Sequence, residues 1–461
     1  TRIADQGPSL TESLMKHPIL PVALSLLAVP AAAQETFDAT LAGHAYLPAL
    51  SLVAPPADAP KDAWISGKFT GGARNGVPMS VPGDTGGLHG KRLTGLNLPF
   101  IGQPLQGFSG FAMNRAEDGS VYVLTDNGFG SKANSPDTLL FFSRMDADFD
   151  TGEVEIKETV FLHDPDFKVP FRISYGGTDS RYLTGADFDL ESIQRVGDSI
   201  WIGEEFGPYL IEATLDGRIK GVYPTMVDGV QLKGPDTPGI SATSVKGTDW
   251  TVPRSGGYEG MALQPETGLL WAMLEKPLLA ASGENEGDFL RVMAFDPEAR
   301  DWTGEGFKFK LAEGATAIGD FNFIDETRAL VIERDNGEGE PSLKCAGDPQ
   351  ADCFPNPAMV KHVVLIDTAD VDAEGYVRRI GQIDLMNIAD PEGKARIETD
   401  GGEAGRFSLP FFTIEDVMRV DETHIMVAVD NNLPFSSGRK LDAAADNEVV
   451  LLSVPELLAA Q

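Results

Sequence analysis

Only two cysteines occur in the 461 residues, Cys345 and Cys353, so a four-cysteine zinc site is excluded for want of a second pair. Their spacing in "KCAGDPQADCF", around a loop containing Gly, Pro and Asp, predicts a local disulfide, with two free thiols as the alternative. Positive charge is also scarce: 37 basic residues face 70 acidic ones, a formal net charge of −33. Such a field repels nucleic acid and anionic membrane surfaces and favours cations, calcium above all, although plain solubility or adaptation to salt gives the same balance. No H-E-x-x-H is present, which excludes a zincin motif. There is no G-x-S-x-G elbow either, because "GFSGF" at 107–111 lacks its spacing and Ser109 reads as a tight strand start. "GARNG" and "GDTGG", near 72–87, are followed by no Walker lysine and read as flexible loops. Of the six histidines, His89, His163, His362 and His424 are scattered, and each reads as a surface or packed residue.

Long apolar runs are missing as well, which predicts no membrane span. "MKHPILPVALSLLAVPAAAQ", from Met15, is interrupted by prolines and too short to cross a bilayer. Its lysine, apolar stretch and small-residue site Ala31-Ala32-Ala33 are those of a secretory signal peptide. The expected organisation is an upstream extension plus signal peptide over 1–33, closing strands and loops over 34–108, and a main domain over 109–455. The destination would be periplasmic or secreted.

What the sequence has in abundance is glycine and proline, 50 and 31 residues, together with 42% hydrophobic residues and almost no helical periodicity. Five segments repeat one pattern of apolar strand, polar turn, second apolar strand and acidic cluster. They are "SGFAMNRAEDGSVYVLTDNG" from Ser109, "ESIQRVGDSIWIGEEFG" from Glu191, "EGMALQPETGLLWAMLEKP" from Glu259, "DFNFIDETRALVIERDNG" from Asp320 and "EDVMRVDETHIMVAVDNN" from Glu415. A third strand follows each, and a fourth is readable after most. Four short antiparallel strands per unit describe propeller blades, which bury both faces only by packing around an axis. The expectation is an all-β propeller of five or six four-stranded blades. Residues 35–108 would supply the sixth blade, or "ATLAGHAYLPALSL" would pair with the last blade and close the ring. A β-sandwich pair is the alternative architecture. Trp201 and Trp271, in second strands, are core candidates.

Successive strands of a blade are antiparallel, so the start of the first and the end of the second share one edge. That geometry pairs Glu191 with Glu204 and Glu205, Glu259 with Glu275, Asp320 with Glu333 and Asp335, Glu415 with Asp430, and Ser109 with Asp126. Equivalent repeats would gather these acids around one end of a central channel, where they cannot all stay ionised without a cation. The expected metal ligands are Asp126, Asn127, Glu191, Glu204, Glu259, Asp335, Glu415 and Asp430. Carboxylates with Asn127, Asn336, Asn431 and Asn432 form a hard oxygen set that calls for calcium or magnesium rather than zinc. Lys276 and Arg334 are candidates for holding a substrate anion, as are Arg254, Arg439 and Lys440, or else they compensate neighbouring acids. Glu205 or Glu259 would serve as general base.

"GFSGFAMNRAEDGSVYVLTDNG", "DLESIQRVGDSIWIGEEFGPYL", "GYEGMALQPETGLLWAMLEKP" and "TIEDVMRVDETHIMVAVDNNLPF" together resemble the phytase-like domain family, labelled for an esterase-like activity of phytase. The resemblance spans roughly 90–455. It implies an exported bacterial β-propeller acting on small-molecule phosphoesters. Bound cations would hold phosphate oxygens and lower the pKa of an attacking water. A calcium-dependent lactonase or arylesterase, or a non-catalytic binding propeller stabilised by its metal, are the competing expectations.

Overall fold

The computed structural model describes residues 35–126 and 128–461; the signal-peptide reading and Asn127 lie outside the described residues. The period-two apolar runs form five four-stranded antiparallel blades. Blade one comprises Phe108–Phe111, Val121–Thr125, Phe141–Asp148 and Glu153–Phe161. Blade two comprises Leu190–Val196, Ser199–Glu204, Tyr209–Thr214 and Ile219–Pro224. Blade three comprises Tyr258–Leu263, Leu270–Leu274, Leu290–Asp296 and Asp301–Phe309. Blade four comprises Ala317–Phe323, Arg328–Arg334, Lys361–Val371 and Val377–Asp384. Glu35–Phe37 adds to its outer edge in parallel. Blade five takes Asp416–Arg419, His424–Ala428 and Asn447–Ser453 from the end of the chain, and its fourth strand, Thr40–Leu47, from the beginning.

That fourth strand answers the question of the sixth blade. Thr40–Leu47 pairs antiparallel with Asn447–Ser453 and closes the ring, while 48–106 contributes only two-stranded pieces. This excursion is pinned by two buried ion pairs, Lys68 to Asp137 at 3.1 Å and Arg92 to Glu338 at 2.5 Å. The inner strands of the five blades touch in cyclic order around the axis. Each blade is apolar on both faces because each face meets a neighbour, and an apolar core fills each of the five seams. Trp201 is buried in the seam between blades two and three, 5.3 Å from Phe295. Trp271 is half-buried against Phe307 and donates to Gln264 Oε1 at 3.1 Å. Cys345 and Cys353 form a disulfide in a loop of blade four. Among the described residues no helix is long and apolar enough to cross a membrane.

Two features of the inner strands shape the channel. Part of its wall is tied together by polar groups. Gln194 Nε2 donates to Asn322 Oδ1 at 2.8 Å and Met261 O at 2.7 Å, and Asn322 Nδ2 donates to Phe111 O and Val417 O, each at 3.0 Å. Asp320 and Asp416 accept the backbone N–H groups of Val417 at 2.8 Å and Gly110 at 2.9 Å. In blades one to four the inner strand also carries one extra residue near its start, a β-bulge. A bulge re-aims side chains, and Glu191 and Glu259 occupy the bulged positions.

Candidate active site

All five blades deliver polar side chains to one end of the channel. Ser109 Oγ lies 2.8 Å from Glu191 Oε2 and 3.2 Å from Glu415 Oε2. Glu415 Oε1 is 3.3 Å from Arg334 Nη2, and the same nitrogen lies 2.9 Å from Glu259 Oε1 and 3.4 Å from Glu275 Oε1. Glu191, Glu259 and Glu415, from three blades, are thus linked through Ser109 and Arg334, with Asp126, Glu205 and Asp430 at the strand exits beside them.

The acids divide into two groups. Glu205, Glu259 and Glu275 form an inner group and Asp126, Asp189 and Glu191 an outer one; in each, the carboxylate oxygens lie within 4.8 Å of one another. Arg334 and Lys276 neutralise the inner group. The buried Arg334 guanidinium, seated 5.6 Å from the centroid of the Phe412 ring, reaches Glu259, Glu275 and Glu415. Lys276 Nζ bonds Glu275 Oε2 at 2.8 Å and the carbonyls of Arg254 and Ser255, which engages all three ammonium hydrogens. The outer group has no ion pair among the described residues, and Asp126 Oδ1 is buried with no hydrogen-bond partner. Glu205 Oε1, in the inner group, is likewise without a partner.

Electrostatics follow from this division. Burial, then the charges of Asp189 and Asp430, push the Asp126 carboxyl well above the usual carboxylate range. Burial, then Asp126 and Glu205, do the same to Glu191. Burial and Asp236 raise Asp189 to about 7 against the opposing pull of Lys132, and burial raises Asp430 to about 6. Burial alone would lower the Arg334 pKa, but Glu259, Glu415 and Glu275 raise it and hold the guanidinium charged. Several carboxylates so close are under-neutralised, and a multivalent cation relieves that repulsion.

Not every expected ligand faces this space. Glu204 turns into its own loop and accepts the N–H groups of Gly207 at 2.6 Å, Phe206 at 2.8 Å and Tyr209 at 2.9 Å. Asp335 accepts from Gly337, Met359 and Val360 and pairs with Lys361 at 3.1 Å. Both belong to neither group, because a carboxylate engaged by several local N–H donors is held as a loop cap. In blade four, alternation along the strand sends Glu333 to the opposite face from Arg334, where it meets Arg379 at 2.8 Å and His362 at 3.1 Å. Asp430 accepts from Asn432 N at 2.6 Å and borders Gly107. Three members of the groups lie outside the expected ligand set: Glu275, which the repeat pairs with Glu259 at the rim, Glu205, expected as a general base, and Asp189, in "DFDLES", which precedes the bulged strand that carries Glu191.

A closed five-bladed ring with a cluster of carboxylates at one mouth defines a β-propeller with a polyacidic channel site. The chain belongs to the phytase-like family, described as "Esterase-like activity of phytase", whose family model matches residues 103–433. No curated protein sequence matches it. Its fold resembles those of several solved structures. A Bacillus subtilis arabinanase shares 10% identity, with 75% of this chain and 92% of that one covered, at a TM-score of 0.33. A GH43 β-1,3-galactosidase shares 11% identity over 76% and 91%, at 0.36, and a Myxococcus xanthus glutaminyl cyclase 9% over 76% and 92%, at 0.32.

Proposed function

We propose that this protein is an exported hydrolase of phosphoric esters that depends on a divalent cation, calcium in the first instance, held by Asp126, Asp189 and Glu191. The observation that carries the reading is the unequal neutralisation of the two acid groups. Arg334 and Lys276 bond the inner carboxylates directly, whereas the outer carboxylates converge with no ion pair among the described residues and only the more distant charge of Lys132 to oppose them. The outer donors are all carboxylate oxygens, a set suited to calcium or magnesium. When bound there, the cation would supply electrostatic stabilisation of a phosphoryl group and a more acidic water. Ser109 fixes Glu191 from one side, and Arg334 ties Glu259, Glu275 and Glu415 into a rigid floor beneath it. Glu205, with its free oxygen, is the group placed to move a proton to or from a reactant.

The family description supports a hydrolase of esters and leaves the acyl or phosphoryl centre open, so the test must separate them. The mature chain would be assayed against an aryl phosphate, an aryl acetate and a lactone, each with chelator and after calcium is restored. Turnover of the phosphate alone, abolished by chelator and recovered with calcium, is the expected result. Turnover confined to acetate or lactone moves the assignment to a calcium-dependent esterase. Inactivity throughout, with a chelator-induced fall in melting temperature, reduces the site to a structural one.

A further inference from the structure

A cleft of about 400 Å³ is lined by Lys132, Phe171, Arg172, Ile173, Ser174 and Pro238, and the charge of Lys132 reaches Asp189 of the outer group. Its position follows from the chain: Asp187, also in its wall, stands two residues before Asp189. Lys132 is carried by a loop that is tied to itself. Phe129 N donates to Ser135 Oγ at 2.9 Å, Ser135 Oγ to Ser131 O at 2.8 Å, and Asn134 Nδ2 to Phe129 O at 2.9 Å. The same loop approaches Gly128, which lies between Asp126 and Asp189.

The cleft carries two cationic side chains. Lys132 Nζ donates to Asp236 O at 3.2 Å and sits 5.3 Å from the Phe206 ring centroid, leaving two ammonium hydrogens without an acceptor among the described residues. Arg172 is exposed and has no hydrogen-bond or ion-pair partner among the described residues. The acid in the wall does not offset them locally, because Asp187 is turned inward. It accepts from Ser174 N at 2.7 Å, Ser174 Oγ at 3.0 Å, Thr184 N at 2.8 Å and Thr184 Oγ1 at 2.9 Å. In a chain of net charge −33, these two cations, flanking an aromatic and a proline, offer donors to an anion.

We propose that this cleft is a recognition subsite for a second anionic group, carboxylate or phosphate, on a ring-bearing substrate whose ester is cleaved at the adjacent acid cluster. Phe171 and Pro238 offer the apolar surface for the ring, and Lys132 and Arg172 offer the donors for its anion. The inference rests on the hydrolase reading for the cleaved ester, but the subsite can be tested apart from it. With calcium-loaded full-length protein, kcat/KM would be measured for phenyl phosphate and for 4-carboxyphenyl phosphate. The ratio of the second to the first is expected to fall about tenfold in the double variant Lys132→Met/Arg172→Met; an unchanged ratio overturns the subsite. In parallel, calorimetry with isophthalate as probe is expected to show binding that the double variant weakens at least tenfold. Equal affinity in wild type and variant overturns the proposal, as does absence of binding to the wild type. If no ester is turned over, the hydrolase reading falls while the calorimetric result still decides the subsite. Both substituted residues are partly or fully exposed, so loss of folding does not confound either reading.

Discussion

Gly107 packs against Asp430 and Gly128 against Asp126 and Asp189, and they constrain the site in different ways. At Gly107 the backbone is left-handed, φ +54°, and a Cβ would fall 2.1 Å from Asp430 Oδ1. Alanine there must both strain the backbone and displace a buried acid, at a cost on the order of 1–3 kcal/mol. At Gly128 a Cβ would stand 3.5 Å from both Asp126 Oδ1 and Asp189 Oδ1, an ordinary contact without positive φ. Gly128→Ala should therefore fold normally, with a melting temperature in chelator close to that of wild type, while its methyl group occupies the space between two proposed ligands. Calcium affinity measured by calorimetry is expected to fall tenfold or more; undiminished affinity would place the cation elsewhere. The contrast also shows what a sequence withholds. Glu191, Glu259 and Glu415 were legible as channel acids because each opens a repeat. Glu204 and Asp335 look equivalent to their neighbours in sequence, and only the local N–H donors that engage them reveal a capping role. Arg334 and Lys276 read in sequence as anion holders or, slightly better, as charge compensators, and the distances to Glu259 and Glu275 give the partners they have.

At the scale of the element, the strands were legible from alternation and their ends were not. A bulge inserts one residue near the start of four inner strands, so the alternation that identifies a buried face changes phase where the functional side chains begin. Within blade four the same alternation assigns Glu333 to a cross-strand cluster with Arg379 and His362, joining three consecutive strands. Burial acts to raise the Glu333 pKa, but hydrogen bonds from His362 and Arg379 and the charge of Arg379 outweigh it and lower the value to about 2. Because the folded value lies below the unfolded one, the contribution to stability is complete above the ordinary glutamate pKa and is lost as pH falls from there toward 2. Denaturant titrations across that window should show stability declining with acid, and Arg379→Met should flatten this part of the slope while lowering stability at neutral pH. A slope unaltered by the substitution would detach the acid sensitivity from this cluster.

The whole molecule is a ring whose ends are sewn together by one strand and whose mouth concentrates part of a large negative charge. Thr40–Leu47 buries Leu41 and Ala45 and pairs along its length with Asn447–Ser453, so the ring closes only when the two ends of the propeller meet. The net charge of −33 adds a diffuse self-repulsion that any salt screens over about 10 Å at 0.1 M. The repulsion between the outer carboxylates is short-ranged and partly buried, and monovalent salt relieves it less well. These two terms separate by titration. Sodium chloride should raise the melting temperature gradually and without saturation. Calcium, added at constant ionic strength, should raise it steeply and then level off, since a single site at one hundred times its dissociation constant contributes about 2.7 kcal/mol. For a domain of this size that corresponds to a shift of several degrees. Asp189→Asn should abolish the saturable component and leave the response to sodium chloride in place. If calcium and sodium chloride act alike at matched ionic strength, the outer carboxylates bind no specific ion, and the molecule's acidity is a property of its surface alone.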